Sequence, residues 1–317
     1  MNYIRLSLTM IIFIAFIGIT NSCSQSSSPV NSVYGIYEGT TPCTDAVKKI
    51  LNIPADKKCD MMRWRLSIYK DSKKSIPSDF DLFYTYGIGK QGTKGFTEDA
   101  ITVELKGKLT IYKIGISTVY NLYDDSSKIT LSFLQPDQNL LHLLNENKQL
   151  MIGTGAWSYT INRTIPLVSE NKFSFQPATR SYVDSDSASF GIFDGRVPCN
   201  DEMRELHGIP VRGCDIIKCR LILYIDSNTR QPTTFLLYTI YVGNGDDNRY
   251  SITGKWKLLQ DLKYDQSAFF FQLVPSPPKS QVTLTLLKAD DNILFFLNKD
   301  NSFKTGSIYT SYTLSRH

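Results

Sequence analysis

Short runs of apolar residues recur along most of this chain, and polar or turn-forming residues separate them. The runs are rich in Tyr, Phe, Ile, Val and Thr, which are residue types that favour β-strands. We predict strands over residues that include 64–69, 80–86, 101–105, 129–134 and 157–161. Many short strands at close spacing indicate an antiparallel meander. A partly closed barrel is the natural way to hide the edges of such a sheet.

The chain also contains an internal repeat. The sequence YGIYEGTTPC at 34–43 corresponds to FGIFDGRVPC at 190–199, and CDMMRWRLSIY at 59–69 corresponds to CDIIKCRLILY at 214–224. The ends of the two copies agree as well, from the Leu-Asn pairs to the final Tyr-to-Arg strands. A match of this extent indicates two copies of one domain.

The repeat sets the predicted domain boundaries. Copy one covers 32–166 and copy two covers 188–317, and each is long enough for its own hydrophobic core. The polar, Ser- and Asp-rich segment 167–187 is typical of a linker. We therefore predict an all-β fold of two tandem, distorted antiparallel β-barrel domains.

One short helix interrupts the strand pattern at the same place in each copy, after the Pro-Cys pair. The predicted helical segments are 44–53 and 200–208, with Thr44 and Asn200 as N-caps and Gly208 as a terminator. A helix of two to three turns is marginally stable alone. It therefore needs a covalent or tertiary support.

Cysteine positions suggest that support. The repeat alignment matches four of the six cysteines, and in an exported protein it predicts two disulfides, Cys43–Cys59 and Cys199–Cys214. Cys219 aligns with Trp64, so we expect it to be a free, buried thiol. A reactive thiol is the alternative for Cys219.

The N-terminus is typical of a secretory signal peptide. Arg5 precedes an apolar run over 6–19 that is too short for a membrane-spanning helix. Ser22-Cys23 resembles a bacterial lipobox, so we predict a signal peptide over 1–22, lipidation at Cys23 and a flexible tether over 23–31. Ordinary cleavage that leaves Cys23 as a free thiol is the alternative. Acyl chains on Cys23 would make the attachment to a membrane effectively permanent.

Both copies resemble the N-terminal domain of NlpE-type lipoproteins, a family connected with copper resistance, adhesion and envelope-stress signalling in Gram-negative bacteria. The shared signature is a Gly-x-Tyr-x-Gly-x-x-Pro-Cys opening, which corresponds to 35–43 and 191–199, followed by a charged strand that ends in Tyr. The resemblance implies a distorted lipocalin-like barrel and a role in binding or sensing. It also implies a location at the outer membrane of a Gram-negative bacterium, facing the periplasm or the cell surface. Family members usually carry Pro-Cys-x-x-Cys, but Ala46 and Glu202 occupy the position of the second cysteine here. The family's cysteine pair is therefore not carried over to this chain.

Few residues offer catalytic or metal-binding chemistry. His142, His207 and His317 are the only histidines, and their positions suggest neither a catalytic triad nor a metal cluster. Met61 and Met62 could be soft copper ligands, but isoleucines replace them in copy two, which favours core packing. We predict no catalytic residue, no bound metal and no cofactor.

The balance of charges also limits the choice of partner. The net charge of +5 is too small to indicate nucleic-acid binding. The tripeptide Asp186-Ser187-Ala188 resembles acidic-Ser-small glycosylation sites, which makes Ser187 a weak candidate for O-glycosylation.

Three functions remain in competition. The first is a non-enzymatic envelope lipoprotein that binds a small apolar ligand or an envelope protein, in stress sensing or copper tolerance. The second is a copper-handling protein, and the third is a structural or adhesive surface protein. An open apolar mouth in a barrel would favour ligand binding, whereas closed and filled barrels would favour the structural role.

Overall fold

A computed structural model describes residues 32–168, 175, 177, 188–207, 214–243, 248–260, 268–276 and 282–317. The predicted signal peptide, the tether, Cys23 and Ser187 lie outside these residues. The described part of the chain forms the following helices and strands: β1 (Val33–Pro42), α1 (Asp45–Ile50), β2 (Met61–Lys70), β3 (Pro77–Gly87), β4 (Ile101–Ile114), β5 (Ser117–Tyr123), β6 (Thr130–Asp137), β7 (Leu140–Leu144), β8 (Thr160–Arg163), β9 (Ser189–Pro198), α2 (Asp201–His207), β10 (Ile216–Ile225), β11 (Pro232–Val242), β12 (Asn248–Gln260), β13 (Phe269–Pro275), β14 (Leu284–Lys288), β15 (Ile293–Leu297) and β16 (Thr313–Arg316).

Each copy of the repeat forms one closed antiparallel barrel of eight strands. Barrel one contains β1 to β8 in sequence order and closes where β1 pairs with β8. Barrel two contains β9 to β16 and closes where β9 pairs with β16. The predicted all-β fold of two tandem barrels is therefore confirmed. Closure satisfies the backbone groups that an open sheet would leave at its edges.

Alternation of side chains along the strands builds the two barrel interiors. In β2, Trp64, Leu66 and Ile68 point inward and are buried, whereas Arg65 between them is exposed. Trp64 lies opposite Tyr84 of β3 in the strand register. The period of two therefore assigns one face of each strand to the core. One predicted boundary is wrong: β8 begins at Thr160, and the chain before it is a loop.

An arginine of the last strand covers one end of each barrel. In barrel one, the guanidinium of Arg163 lies 5.5 Å from the ring centre of Tyr37 and donates a hydrogen bond to its hydroxyl at 3.1 Å. A Cβ on Gly35 would lie 2.8 Å from Arg163 Nη1, so only glycine allows this close approach. In barrel two, Arg316 lies 4.8 Å from the ring centre of Phe193. In each copy, the glycine of the Gly-x-aromatic sequence leaves room for the arginine, and the aromatic ring packs against its guanidinium.

The short helix and its disulfide cover the opposite end of barrel one. α1 buries Val47, and Leu51 just after the helix packs into the same core. The structure forms the Cys43–Cys59 disulfide that the repeat alignment predicts, with the Cα atoms 5.6 Å apart. This bond ties the start of the helix segment to the strand that follows it. α1 is shorter than predicted, because the chain turns at Asn52, whose φ is +54°.

Barrel two repeats this arrangement with α2. The structure forms the Cys199–Cys214 disulfide, with a Cα–Cα distance of 5.8 Å, and leaves Cys219 as a free, buried thiol. Asn200 caps α2 as predicted, since its Oδ1 accepts a hydrogen bond from Met203 N at 2.9 Å. Thr44 occupies the N-cap position of α1 as predicted but makes no side-chain capping hydrogen bond; its hydroxyl instead lies 2.6 Å from the Tyr159 hydroxyl.

Candidate functional site: the junction between the barrels

Aromatic side chains fill both barrel interiors. In barrel one, the Trp64 ring centre lies 5.6 Å from that of Tyr84 and 6.4 Å from that of Phe133. In barrel two, Trp256 and Phe271 have ring centres 5.2 Å apart. Within the residues that the structure describes, neither interior shows the open apolar mouth that would favour a ligand inside a barrel.

The two barrels pack against each other through equivalent residues. The hydroxyls of Thr160 and Thr313 lie 2.9 Å apart, and these residues occupy the same position in the two copies. The equivalent serines Ser158 and Ser311 also meet, with their hydroxyls 2.6 Å apart. Contacts between equivalent residues are the mark of a two-fold axis, so the junction is a pseudo-symmetric, self-complementary interface.

Reciprocal hydrogen bonds away from the axis support this symmetry. Gly153 N donates to Ser315 Oγ at 3.1 Å, and its equivalent Gly306 N donates to Asn162 Oδ1 at 2.8 Å. Asn162 and Ser315 occupy the same position in their copies. Each barrel therefore donates a backbone N–H to the equivalent side-chain position of the other barrel.

Outward-facing apolar side chains form a third core at the junction. Four positions contribute from both copies, as Val119 and Phe270, Leu134 and Leu287, Leu140 and Ile293, and Leu144 and Leu297. Phe175 of the linker segment is buried in the same cluster. Phe175 is packed against Phe295 and Phe303, with ring centres 6.4 and 6.3 Å apart. The junction is therefore a hydrophobic core with hydrogen bonds within it.

His142 lies in this junction, although Phe295 occupies its position in copy two. It is fully buried, and its ring packs edge-on against Phe295 with ring centres 6.0 Å apart. Nε2 lies 2.9 Å from the carbonyl oxygen of Met151 and Nδ1 lies 2.9 Å from Thr160 Oγ1. Since a carbonyl only accepts, Nε2 carries the proton and Nδ1 accepts from the threonine. Burial lowers the pKa of His142 to about 4, so the ring is neutral near pH 7.

A cavity of about 610 Å³ opens at this junction. Its walls come from barrel one, from the turn between β14 and β15 of barrel two and from Phe175: Thr44, Ala46, Ile114, Ser117, Val119, Leu134, Leu144, Asn145, Lys148, Gln149, Leu150, Met151, Ile152, Phe175, Ala289, Asp290 and Asn292. Ten of these 17 residues are apolar and seven are polar or charged. This is the usual make-up of a small-molecule site. We call this space the junction cavity.

Differences in side-chain size between the two copies contribute to the space beside barrel one. Val119 and Leu150 line the junction cavity, whereas the corresponding positions in barrel two hold Phe270 and Phe303. Both phenylalanines are buried in the third core. Smaller side chains on the barrel one side therefore leave volume that the larger rings occupy on the other side.

The same contrast holds beside the two helices. Glu202 of α2 forms an ion pair with Lys304, and both side chains are largely buried. Barrel one has Ala46 and Met151 at these two positions, and both line the junction cavity. The two positions that form an ion pair in barrel two are therefore apolar residues of the cavity wall in barrel one.

The cavity lining includes two charged side chains. Lys148 is exposed, and its ammonium donates a hydrogen bond to Ser132 Oγ at 2.6 Å. Asp290 accepts hydrogen bonds through Oδ1 from the backbone of Asn292 at 2.7 Å and of Ile293 at 2.9 Å. Burial raises the pKa of Asp290. The cavity therefore joins apolar walls to one solvent-exposed cation and one carboxylate held by a turn.

The structure does not bring the candidate copper ligands together. Met62 is fully buried in the core of barrel one, and His317 lies beside Asp194 in barrel two. Position 207 ends α2, and its side chain lies outside the described residues. Among the described residues, no three histidine, cysteine, aspartate or glutamate side chains form a group that could hold a metal ion.

No helix in the part of the chain that the structure describes is long and apolar enough to cross a membrane. Comparison of the chain with family models, with curated proteins and with solved structures finds no match. The geometry of the junction is therefore the basis on which a function can be inferred.

Proposed function

We propose that this protein is a non-enzymatic, membrane-anchored lipoprotein of the cell envelope that binds a small amphipathic ligand in the junction cavity. The observation that carries the proposal is an apolar-lined space of about 610 Å³, located where the two copies differ in side-chain size. Strands of barrel one place Val119, Leu134 and Leu144 in the wall of the site, and turns supply Lys148 and Asp290.

The anchor is the part of the proposal that rests on sequence. The proposed lipid on Cys23 would place both barrels at the outer membrane of a Gram-negative bacterium, close to a supply of amphipathic molecules. Replacement of Cys23 by Ala should move the protein from the membrane fraction to the soluble fraction. Membrane retention of the Cys23→Ala protein at the wild-type level would contradict the anchor.

The ligand site is tested with a neutral apolar fluorophore, N-phenyl-1-naphthylamine, which brightens in apolar surroundings. We expect one molecule to bind per chain of the tag-free protein. The variant Val119→Phe/Leu150→Phe carries the residues of barrel two at both positions, so it should narrow the cavity and reduce the fluorescence gain while the fold remains intact.

A matched control adds a phenyl ring elsewhere. Ile76 is exposed between β2 and β3 and does not line the cavity. Ile76→Phe should therefore bind the fluorophore as the wild type does. Equal fluorescence from the wild type and the double phenylalanine variant would contradict a ligand site at the junction.

A structural or adhesive surface protein is the second candidate. The filled barrels support it, because a rigid pair of barrels needs no ligand to present a surface. In that case the fluorophore would bind neither the wild type nor the double phenylalanine variant.

Copper handling has less support than either of these two functions. Both cysteine pairs are oxidised, and an oxidised pair offers no thiolate to bind copper. Titration of the oxidised protein with Cu(I) and Cu(II) should show no stoichiometric site of submicromolar affinity.

A further inference from the structure

We infer that the junction cavity binds an amphiphile with one alkyl chain and an anionic head group, and that Lys148 binds that head group. The inference rests on the proposed function and adds the chemical class of the ligand. It follows from the size of the cavity, from the apolar residues at its rim, and from the exposure and hydrogen-bond partners of its two charged side chains, Lys148 and Asp290.

The volume of the cavity suits one chain. About 610 Å³ falls within the roughly 300–1,000 Å³ that is typical of small-molecule sites. A single alkyl chain with a small head group is a ligand of this size class.

The rim of the cavity suits an alkyl chain as well. Ile114 at the end of β4 and Ile152 after the β7 region both line the cavity, although their side chains are 46% and 45% exposed. Ile116, in the same turn as Ile114, is 48% exposed. These exposed apolar side chains extend the apolar surface of the cavity toward solvent.

Lys148 is the group that can select the head group. It lies in the turn after β7, where Lys148 N donates to Asn145 O at 3.0 Å, and it has a φ of +61°. Its ammonium donates to one neutral hydroxyl, and the described residues include no ion-pair partner for it. The nearby carboxylate of Glu146 is already paired with Lys49 at 2.9 Å. Lys148 therefore offers an uncompensated positive charge at the cavity.

Asp290 does not offset that charge for a ligand. Its Oδ1 is engaged by two backbone amides of its own turn, and burial disfavours its ionised form. A cationic head group would have to pair with the carboxylate of Asp290, which is partly desolvated and already accepts hydrogen bonds from the backbone of its own turn. An anionic head group would find an exposed lysine, with the amides of Asn145 and Gln149 beside it. Charge complementarity favours the anion.

The test displaces N-phenyl-1-naphthylamine from the full-length protein with three ligands of equal chain length: decanoate, decanol and decyltrimethylammonium, each below its aggregation threshold. We expect decanoate to displace the fluorophore at the lowest concentration. Lys148→Asn takes the residue of copy two, Asn301, which adopts the same left-handed conformation with a φ of +65°. This variant therefore keeps the turn and removes the charge.

Lys148→Asn should weaken the binding of decanoate about fivefold, the amount expected for one solvent-exposed ion pair, and leave decanol unchanged. Lys148→Arg keeps the charge and should retain the affinity for decanoate. Asp290→Asn should not weaken decanoate.

Each other outcome has a defined meaning. If the three ligands displace the fluorophore equally in the wild type and in Lys148→Asn, the head-group inference is wrong and the proposed function stands. If decyltrimethylammonium binds best and Asp290→Asn removes that preference, the site selects cations and the inference is also wrong. If the wild type does not bind the fluorophore at all, the proposed function itself fails.

Discussion

His142 links the stability of the junction to pH. Its pKa falls from an ordinary value of 6.5 to about 4 in the folded protein because burial disfavours the charged ring. The difference of about 2.5 pKa units corresponds to about 3 kcal/mol of folding free energy, at 1.36 kcal/mol for each unit. Because the folded pKa is the lower one, the unfolded chain takes up the proton first as the pH falls.

The contribution of His142 to stability decreases as the pH falls. Above about pH 6.5 the imidazole is neutral in both states, and its full contribution to stability is present. Between pH 6.5 and about 4 the contribution is lost progressively, and below pH 4 no further loss comes from this residue. The test substitution is His142→Phe, which takes the residue that Phe295 provides in copy two.

The assay is urea unfolding from pH 7.5 to 4.0, with the free energy of unfolding compared between the wild type and His142→Phe. At pH 7.5 the variant should be less stable by about 1–3 kcal/mol, because the Met151 carbonyl loses its buried donor. On acidification the wild type should lose about 3 kcal/mol more than the variant. Other groups, such as Asp124, whose pKa is lowered to about 2, titrate in both proteins and cancel in the comparison. Parallel stability curves for the two proteins would refute the assignment of His142 as a buried neutral ring.

Three further predictions concern other parts of the fold. Gly35→Ala should lower the free energy of unfolding by about 1–3 kcal/mol, because the new Cβ would displace the Arg163 guanidinium; a wild-type urea midpoint would contradict this packing. Joint replacement of Cys43 and Cys59 by Ala should cost about 3 kcal/mol in the same measurement, since the bond closes a loop with a sequence separation of 16 residues; unchanged stability would show that the helix needs no covalent support. Burial raises the pKa of the Cys219 thiol to about 12, so a disulfide reagent at pH 8 should label it only after unfolding, and prompt labelling of the native protein would identify it as a reactive thiol.

Much of the fold follows from local patterns in the sequence. Alternating residues such as Trp64, Leu66 and Ile68 define the inner face of a strand, and the repeat transfers the assignment to the second copy. The disulfides could be predicted because the alignment matched each cysteine with a counterpart. Cys219 was identifiable as unpaired because its counterpart is Trp64.

The junction was missed, although the sequence carries a signal for it. β7 and β15 read Leu-Leu-His-Leu-Leu and Ile-Leu-Phe-Phe-Leu, and all ten side chains are buried. A strand that is apolar at every position is buried on both faces. The inner face of such a strand belongs to the barrel core, and the outer face needs a second partner, which is the other barrel.

The cavity could not be predicted from the sequence alone. Its volume depends on the contrast between Val119 and Phe270 and between Leu150 and Phe303. Leu150 and Phe303 already correspond in the sequence alignment. Val119 and Phe270 correspond only once the strand registers are known, because Val119 lies opposite Leu134 as Phe270 lies opposite Leu287. The contribution of the turn containing Asp290 depends further on how the barrels pack.

The central claim is that an alkyl chain binds between the barrels and not inside them. Isotope-filtered NMR on methyl-labelled protein with bound decanoate tests it most directly, because nuclear Overhauser effects report only protons in close contact. We predict effects from the chain methylenes to the methyl groups of Val119, Leu134 and Leu150. Effects confined to methyl groups of a barrel interior, such as Leu66, or to exposed ones remote from the cavity, such as Ile76, would contradict the account.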